Sequence, residues 1–448
     1  MRWRELLQLN EQHPLPADFF EFPRRVHFIG VGGIGMSALA LLLQSRGHTV
    51  SGSDANESAM LAQLREAEIE CFVGQKAENI EGAEAIFYSS AISPENPEFA
   101  AATKNQIPAW HRSQLLAHFV NNAKTSIAVS GTHGKSTTSA MIAHILTECG
   151  HNPTAVLGAI YPPFGSNLRV GNPDLIVVEA DESDGSFTLL EPTIAVVLNV
   201  EPEHLENYDE SEEELFSAFN MFCEQAVSFI VDYDDMLRWM DINLGGNENY
   251  YSSTEKELSV PGKHNAANAG AAIESVKYLG DFSINLRDAE RAISTFAGTL
   301  RRFERKGEAQ NIVVYDDYGH HPTEVRATLD AAKEFLNRPI AVVFQPHRYS
   351  RTLALHRDFG SAFGSADKII ITQLYSAYET PIEGVSGRLI FDAVRENFPD
   401  KAVYYAQDLV EAKKIALEVL QSGDALLTMG AGDITQLGPL VLEALAEG

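Results

Sequence analysis

Residues 125–137 read TSIAVSGTHGKST, an apolar run that stops at a glycine-bracketed turn and restarts with Lys135, Ser136 and Thr137. A strand over Ser126–Ser130, a turn and a helix from Ser136 onward form the unit from which parallel α/β folds are built, and this stretch sets the fold class. The chemistry of the turn follows from its residue types. Gly131 and Gly134 let backbone amides wrap an anion with no Cβ in the way, Lys135 can neutralise β- and γ-phosphates, and the Ser136 hydroxyl can ligate Mg²⁺. With Thr132, His133 and Thr137 between and beside them, these residues make a candidate ATP loop. A strict P-loop carries a further glycine at 129, where this chain has Val129, so an ordinary strand–helix turn is the competing reading.

Upstream the plan is the same. Val26–Val31 reads as a strand, Gly30, Gly32, Gly33 and Gly35 as a turn, Ile34–Gln44 as a helix and His48–Ser51 as a second strand. Amides in such a turn can approach a diphosphate at the helix N-terminus. Asp54 follows at about the spacing at which an acidic residue meets a ribose, so an NAD-dependent oxidoreductase competes with other nucleotide binders on these residues. Two phosphate-type turns imply two nucleotide-binding units.

Downstream, Leu175–Glu179 and Ile194–Asn199 read as strands, each ending in charge. Glu179, Asp181, Glu182 and Asp184 follow the first, and Glu201, Glu203 and His204 the second. Carboxylate and imidazole donors at two successive strand ends suit a Mg²⁺ near the phosphates. Asp209–Glu214 opens a surface helix. Beyond Arg301 come strands at Ile312–Tyr315, Ile340–Phe344, Lys368–Thr372 and Ala425–Met429, with a helix over Glu324–Phe335. Asp316, Asp317, Tyr318, His320 and His321 follow one of these strands, and His347, Arg348 and Arg351 the next; two arginines so spaced suit a carboxylate. The expected fold is α/β in three domains: a Rossmann-like N-terminal domain over 1–121, a P-loop-type central ATPase domain over 122–299, and an α/β C-terminal domain with a Rossmann-like sheet over 300–448. Short hinges are expected near 122 and 299.

Composition narrows the partners. The 448 residues carry 34 basic and 62 acidic side chains, a net charge of -28 that repels nucleic acid and anionic membranes. The longest apolar runs, such as Ala38–Leu43, fall far short of the roughly 18 residues that span a bilayer, and residues 1–20 hold no signal-peptide core. Cys71, Cys149 and Cys223 are widely spaced and read as buried thiols. The expectation is a cytoplasmic protein with no nucleic-acid or membrane partner, a monomer or weak homodimer.

A series of motifs in fixed order resembles the Mur ligases: GVGGIGMS from Gly30, SGSD from Ser51, SSAI from Ser89, GTHGKST from Gly131, EADESDGSF from Glu179, NVEPEHLE from Asn199, PGKHNAANA from Pro261, RRFE from Arg301, DDYGHHPTE from Asp316 and FQPHRYSRT from Phe344. The resemblance runs from residue 25 nearly to the end, leaving the N-terminal extension and a stretch that reads as shortened, Gln225–Ser259, poorly matched. It implies an ATP- and Mg²⁺-dependent ligase that joins L-alanine to the lactyl carboxylate of UDP-N-acetylmuramate through an acyl phosphate. The implied roles are Gly32, Gly33, Gly35, Asp54 and Ser90 for the nucleotide-sugar, with Lys135 for ATP phosphates. Ser136, Glu179 and His204 are implied for metal, and Asn268, Arg302 and Asp317 for the nucleotide. Tyr318, His320, Arg348 and Arg351 are implied around L-alanine, with His320 a candidate base. A ligase that attaches a whole peptide to the same sugar is the alternative within the family; EADESDGSF fits the L-alanine branch better.

Overall fold

The computed structural model describes residues 3–232, 248–377 and 379–447. The chain divides into two compact units, Met1–Glu257 with Ala267–Phe296, and Leu258–Ala266 with Ala297–Gly448. Two sheets lie in the first unit and one in the second, and the fold is α/β throughout.

The first sheet contains β1 (Arg25–Ile29), β2 (Thr49–Asp54), β3 (Glu70–Val73), β4 (Ala85–Tyr88) and β5 (Ala109–His111), all parallel, in the order β3-β2-β1-β4-β5. Successive strands leave β1 in opposite directions, so the carboxyl ends of β1 and β4 flank the point at which such a sheet opens a crevice. The turn Gly30–Gly33 and residues Ser89–Ser90 emerge there side by side.

The second sheet contains β6 (Thr125–Ser130), β7 (Pro153–Tyr161), β8 (Ser166–Arg169), β9 (Asn172–Glu179), β10 (Ile194–Val197), β11 (Ser228–Asp232) and β12 (Glu248–Tyr251) in the order β12-β11-β10-β6-β9-β7-β8. Only β7 and β8 pair antiparallel. Because β6 lies between β10 and β9, the glycine loop after β6, Glu179 at the end of β9 and Asn199–His204 beyond β10 leave the sheet together. The helix Lys135–Glu148 is buried at every position from Ser136 to Leu146, as a helix without a polar face must be.

The N-terminal extension, which no motif covers, forms a helix over Trp3–Gln12. Trp3 is 1% exposed. Its ring N–H donates to Glu214 (3.2 Å), and the Gln114 amide donates to Asn10 (3.1 Å) and to the His13 carbonyl (2.8 Å). The extension is therefore fastened to a helix of each sheet in its unit.

The second unit is built on β13 (Glu304–Ala309), β14 (Ile312–Asp317), β15 (Ile340–Phe344), β16 (Lys368–Thr372), β17 (Ala402–Ala406) and β18 (Ala425–Met429) in the order β13-β14-β18-β15-β16-β17, with β13 antiparallel. The carboxyl ends of β14, β18 and β15 are neighbours, which gathers Asp316–His321, Gly430–Asp433 and Gln345–Arg351 on one edge.

Several elements differ from the sequence expectation. β2 runs on to Asp54 rather than stopping at Ser51, while β10 ends at Val197, two residues before Asn199. β13 and β17 were not expected: ERKGEA is polar and bulged between Arg305 and Gly307, without the apolar run of an inner strand, whereas AVYYA is such a run and forms a half-exposed edge. Within the stretch expected to be shortened, residues 233–247 lie outside the described residues. Among the described residues no helix is long and apolar enough to cross a membrane.

Candidate active site

The loop after β6 is held open by its glycines and by β10's extension. Gly131 (φ 129°) and Gly134 (φ 89°) occupy left-handed conformations that suit glycine alone, and a Cβ on Gly131 would press on the backbone of Leu198 and Asn199. Asn199 staples the loop: its carbonyl accepts from Thr132 N (3.0 Å), its side-chain oxygen accepts from His133 N (2.7 Å), and its amide donates to the His133 carbonyl (3.0 Å). The Glu201 amide donates to Thr132 Oγ1 (2.8 Å), and His133 Nε2 lies 3.4 Å from the Glu201 carboxylate. A Cβ on Gly134 would collide with the Asn268 side-chain oxygen, so Asn268 lies against the loop it was expected to serve. Thr137 is buried in the first turn of the helix.

Ser136 and Glu179 meet: the hydroxyl donates to Glu179 Oε2 at 2.6 Å. Gly158 on the neighbouring β7 makes room for that carboxylate, since a Cβ there would overlap it. An isolated glycine in an apolar strand is a sequence sign of such close approach. His204 has a left-handed backbone (φ 57°), with ring nitrogens 3.8 Å and 3.9 Å from Glu203 and Glu206, and its charge acts on Glu182.

Lys135 does not point into open space. Its Nζ donates to the carbonyls of Gly131 (2.7 Å) and Thr132 (3.2 Å) and lies 2.7 Å from Glu182 Oε2. Burial works against the ammonium charge, but Glu182, Asp181 and Glu179 outweigh it and hold the Lys135 pKa above its ordinary value. The Glu182 pKa is raised as well, which for a carboxyl disfavours the charge. Burial raises its carboxyl to about 7 although Lys135 opposes the shift.

Of the other carboxylates in the stretch after Glu179, Glu182 pairs with Lys135, while Asp181 and Asp184 pair with Arg112, which no motif had marked. Arg112 Nη2 lies 3.2 Å from Asp184 and 3.6 Å from Asp181. Asp184 also accepts from Ser90 Oγ (2.6 Å) and from Ser186 N (3.0 Å). Burial would raise its pKa, but Arg112, His111 and the two serines hold it well below the carboxylate range. His111, whose Nε2 is 3.0 Å from Ser90, is buried and held neutral, its pKa pushed down to about 4. Ser90 thus sits between the first sheet and the acidic loop of the second.

In the first turn Gly32 N donates to Asp54 Oδ2 at 3.0 Å, and a Cβ on Gly32 would strike that carboxylate. Gly33 caps the helix Ile34–Ser45, and the Arg112 guanidinium lies 3.4 Å from where a Cβ of Gly35 would be.

The second unit gathers a different set. Arg301 and Arg302 lie over the Tyr318 ring, at 4.9 Å and 5.3 Å from its centroid, and Arg302 is 3.7 Å from Glu324. Asp317 accepts from Phe303 N and Gly319 N, both at 2.8 Å; burial pushes its carboxyl up to about 6 against the pull of Arg302 and these amides. His320 receives its place from Glu324, which accepts from its amide (2.9 Å), while Nδ1 lies 3.1 Å from the Tyr318 carbonyl. His321 caps the helix Pro322–Leu336 in a capping box with Glu324. Arg348 carries a strained backbone (φ 74°) and donates through Nε to Glu379 (2.6 Å), which also accepts from Ser350 N (3.0 Å) and Oγ (2.6 Å). Burial would raise the Glu379 pKa, but Ser350 and Arg348 hold it below its ordinary value. Burial with Arg351 and Arg348 pushes His347 down to about 4, and its ring stacks on Tyr375 at 5.7 Å. Glu379 had no signal in the sequence, being a lone carboxylate in a loop.

Residues 25–124 match the model described as Mur ligase family, catalytic domain, residues 129–249 the Mur ligase middle domain, and residues 301–432 the Mur ligase, glutamate ligase domain. A UDP-N-acetylmuramate–L-alanine ligase of Dictyoglomus turgidum is 38% identical over 452 residues, covering 94% of this chain and 96% of its own. The crystal structure of a UDP-N-acetylmuramate–alanine ligase from Thermotoga maritima superposes with a TM-score of 0.82 at 30% identity, covering 95% of this chain and 99% of that one. A murein peptide ligase from Psychrobacter arcticus covers 95% and 99% with a TM-score of 0.69 at 22% identity, a likeness of fold.

Proposed function

The chain belongs to the Mur ligase family, and from that premise we propose that it is a UDP-N-acetylmuramate–L-alanine ligase, forming an amide between the lactyl carboxylate and L-alanine at the cost of ATP, in peptidoglycan precursor synthesis. The observation that carries the reading is the glycine loop after β6, with Lys135 and the Ser136–Glu179 pair at one sheet edge. We assign domain boundaries near residues 121 and 299. We also assign the protein to the cytoplasm, the compartment that supplies ATP and UDP-sugars.

The chemistry has two steps. The lactyl carboxylate attacks the γ-phosphorus of ATP; an acyl P–O bond forms as the bond to ADP breaks, and Lys135 takes up charge on the phosphoryl oxygens. The neutral amine of L-alanine then attacks the acyl carbonyl, and the tetrahedral adduct expels phosphate and loses the amine proton. Loop amides between Gly131 and Lys135 cradle the ATP phosphates, Asn268 and Arg302 meet the nucleotide, and Asp317 anchors the backbone at Phe303 and Gly319 beside Arg302. Gly32, Gly33 and Gly35 serve the sugar's diphosphate, with Asp54 near the nucleoside and Ser90 beside it. Ser136 and Glu179 would hold Mg²⁺, a hydroxyl and a carboxylate that already meet in a space that a Cβ at residue 158 would fill, and we assign His204 to the ion with them. When bound, the ion polarises the phosphates and offsets their charge. Around L-alanine, Arg348 and Arg351 grip the carboxylate while Tyr318 and His320 line the amine side. The Tyr318 carbonyl favours the His320 tautomer protonated at Nδ1, which leaves Nε2 to accept the amine proton.

The test is phosphate release from ATP with Mg²⁺ and UDP-N-acetylmuramate, comparing L-alanine, glycine, L-serine and an L-alanine-headed tripeptide. Release requiring both the sugar and L-alanine is expected. Preference for the tripeptide would make this a recycling enzyme, and no release with any acceptor would end the ligase reading.

A further inference from the structure

We propose that Glu182 is a positioning residue for the nucleotide: it holds Lys135 folded back on its own loop, and the β- and γ-phosphates must take the lysine from it. The proposal rests on ATP binding at residues 131–137 and concerns what that loop does before ATP arrives.

The geometry of Lys135 is that of a side chain already engaged. Two loop carbonyls and the Glu182 carboxylate surround its ammonium, at 2.7–3.2 Å. Both side chains are withdrawn from water, at 14% and 5% exposure, so the pair is only weakly screened. A phosphate entering the loop competes for the same ammonium.

Glu182 cannot travel with the lysine, because the loop that carries it is fastened on every side. The Tyr208 hydroxyl donates to the Glu182 carbonyl. Two residues on, Asp184 is held by Ser90, Arg112 and the Ser186 amide. Gly185 is pressed against the backbone and Cβ of Trp3, with no room for a side chain. The Asn207 amide donates to the Ser183 carbonyl at 2.9 Å. When Lys135 swings toward phosphate, Glu182 therefore stays behind in its buried position without its closest cation. Nucleotide affinity then contains an opposing contribution equal to the loss of this pair, and it applies only to ligands long enough to reach the lysine.

That restriction supplies the test. Binding of AMP, ADP and ATP with Mg²⁺ is measured by calorimetry on the full-length protein and on Glu182→Gln, which keeps the shape and removes the charge. ADP and ATP are expected to bind at least about threefold tighter to the variant, the pair no longer having to be broken, while AMP, too short to reach Lys135, binds as before. A change in the P-loop's overall structure would move all three nucleotides alike. Equal affinities in the two proteins, a parallel shift for AMP and ADP, or weaker ADP binding in the variant would each overturn the proposal. If Glu182→Gln does not fold, Glu182→Asp replaces it; the shorter arm lengthens the pair, and a smaller gain for ADP over AMP is expected. Absence of nucleotide binding by the unaltered protein would overturn this proposal and the ATP reading together, whereas normal binding with no gain would sink this one alone.

Discussion

Two cations, Lys135 and Arg348, are each held by a carboxylate, and the two pairs are built on opposite principles. Lys135 and Glu182 are almost wholly buried, and desolvation drives the Glu182 carboxyl up to about 7 even with the ammonium beside it. Arg348 and Glu379 are a quarter exposed, and Ser350 gives the carboxylate two more hydrogen bonds, so its pKa falls instead. Burying an ion pair withdraws the solvation that would otherwise stabilise both charges, and only additional hydrogen bonds restore it. The first pair is accordingly poised to separate, and the second to remain. On the proposed function, the first suits a lysine that moves to a phosphate and the second an arginine that keeps a fixed pose for a small carboxylate.

The largest effect should come from removing the mobile cation: Lys135→Ala is expected to lower the rate of ATP-dependent phosphate release by about 10³-fold, with folding intact by circular dichroism. Arg348→Ala should raise the KM for L-alanine by about 100-fold, the scale of a lost charge-assisted hydrogen-bonded contact, with ATP binding unaltered. An unchanged KM would remove Arg348 from the amino-acid site. Glu379→Gln, which loosens the fixed pair, should raise the same KM by about tenfold. If instead it tightened L-alanine, the second pair would also be a latch and the contrast would fail.

The smallest effect is one of pH. A carboxyl whose folded pKa is raised favours folding below its unfolded value near 4.5 and loses that contribution as pH rises through about 7. The change in melting temperature caused by Glu182→Gln should therefore be more favourable at pH 8 than at pH 5, by about 2 °C or more. Glu379, with its pKa lowered, carries the opposite sign: its contribution is present above about 4.5 and is lost as pH falls, so Glu379→Gln should destabilise at pH 7 and less at pH 3.5.

The contrast also marks what the sequence reveals. Apolar runs ending in glycine gave away β1 and β6 and both phosphate-type turns, because short-range periodicity and backbone freedom are local properties. In the candidate site the loop Gly131–Thr137 was legible because its chemistry is written in consecutive residues, whereas Ser136 and Glu179, which meet across 43 residues, were put together only by the family resemblance. Pairings set by sheet order were not. That Glu182 would take Lys135, Asp184 would take Arg112 and Ser90, and Glu379 would take Arg348 depends on β9 lying beside β6 and on a loop crossing β15's end, and no spacing encodes either. β13 was hidden by its polarity, and the N-terminal helix by having no motif.

That helix gives its unit an unusual vulnerability. Trp3 packs against Gly185, one residue beyond Asp184 and three beyond Glu182, so the amino end of the chain serves as a wedge behind the loop that restrains Lys135. Trimming a dozen residues there, or fusing a bulky tag to them, is ordinarily regarded as cosmetic. In this molecule it would remove the support behind Glu182, and on the proposed function variants prepared that way should show altered nucleotide affinity with no residue of the loop 131–137 changed.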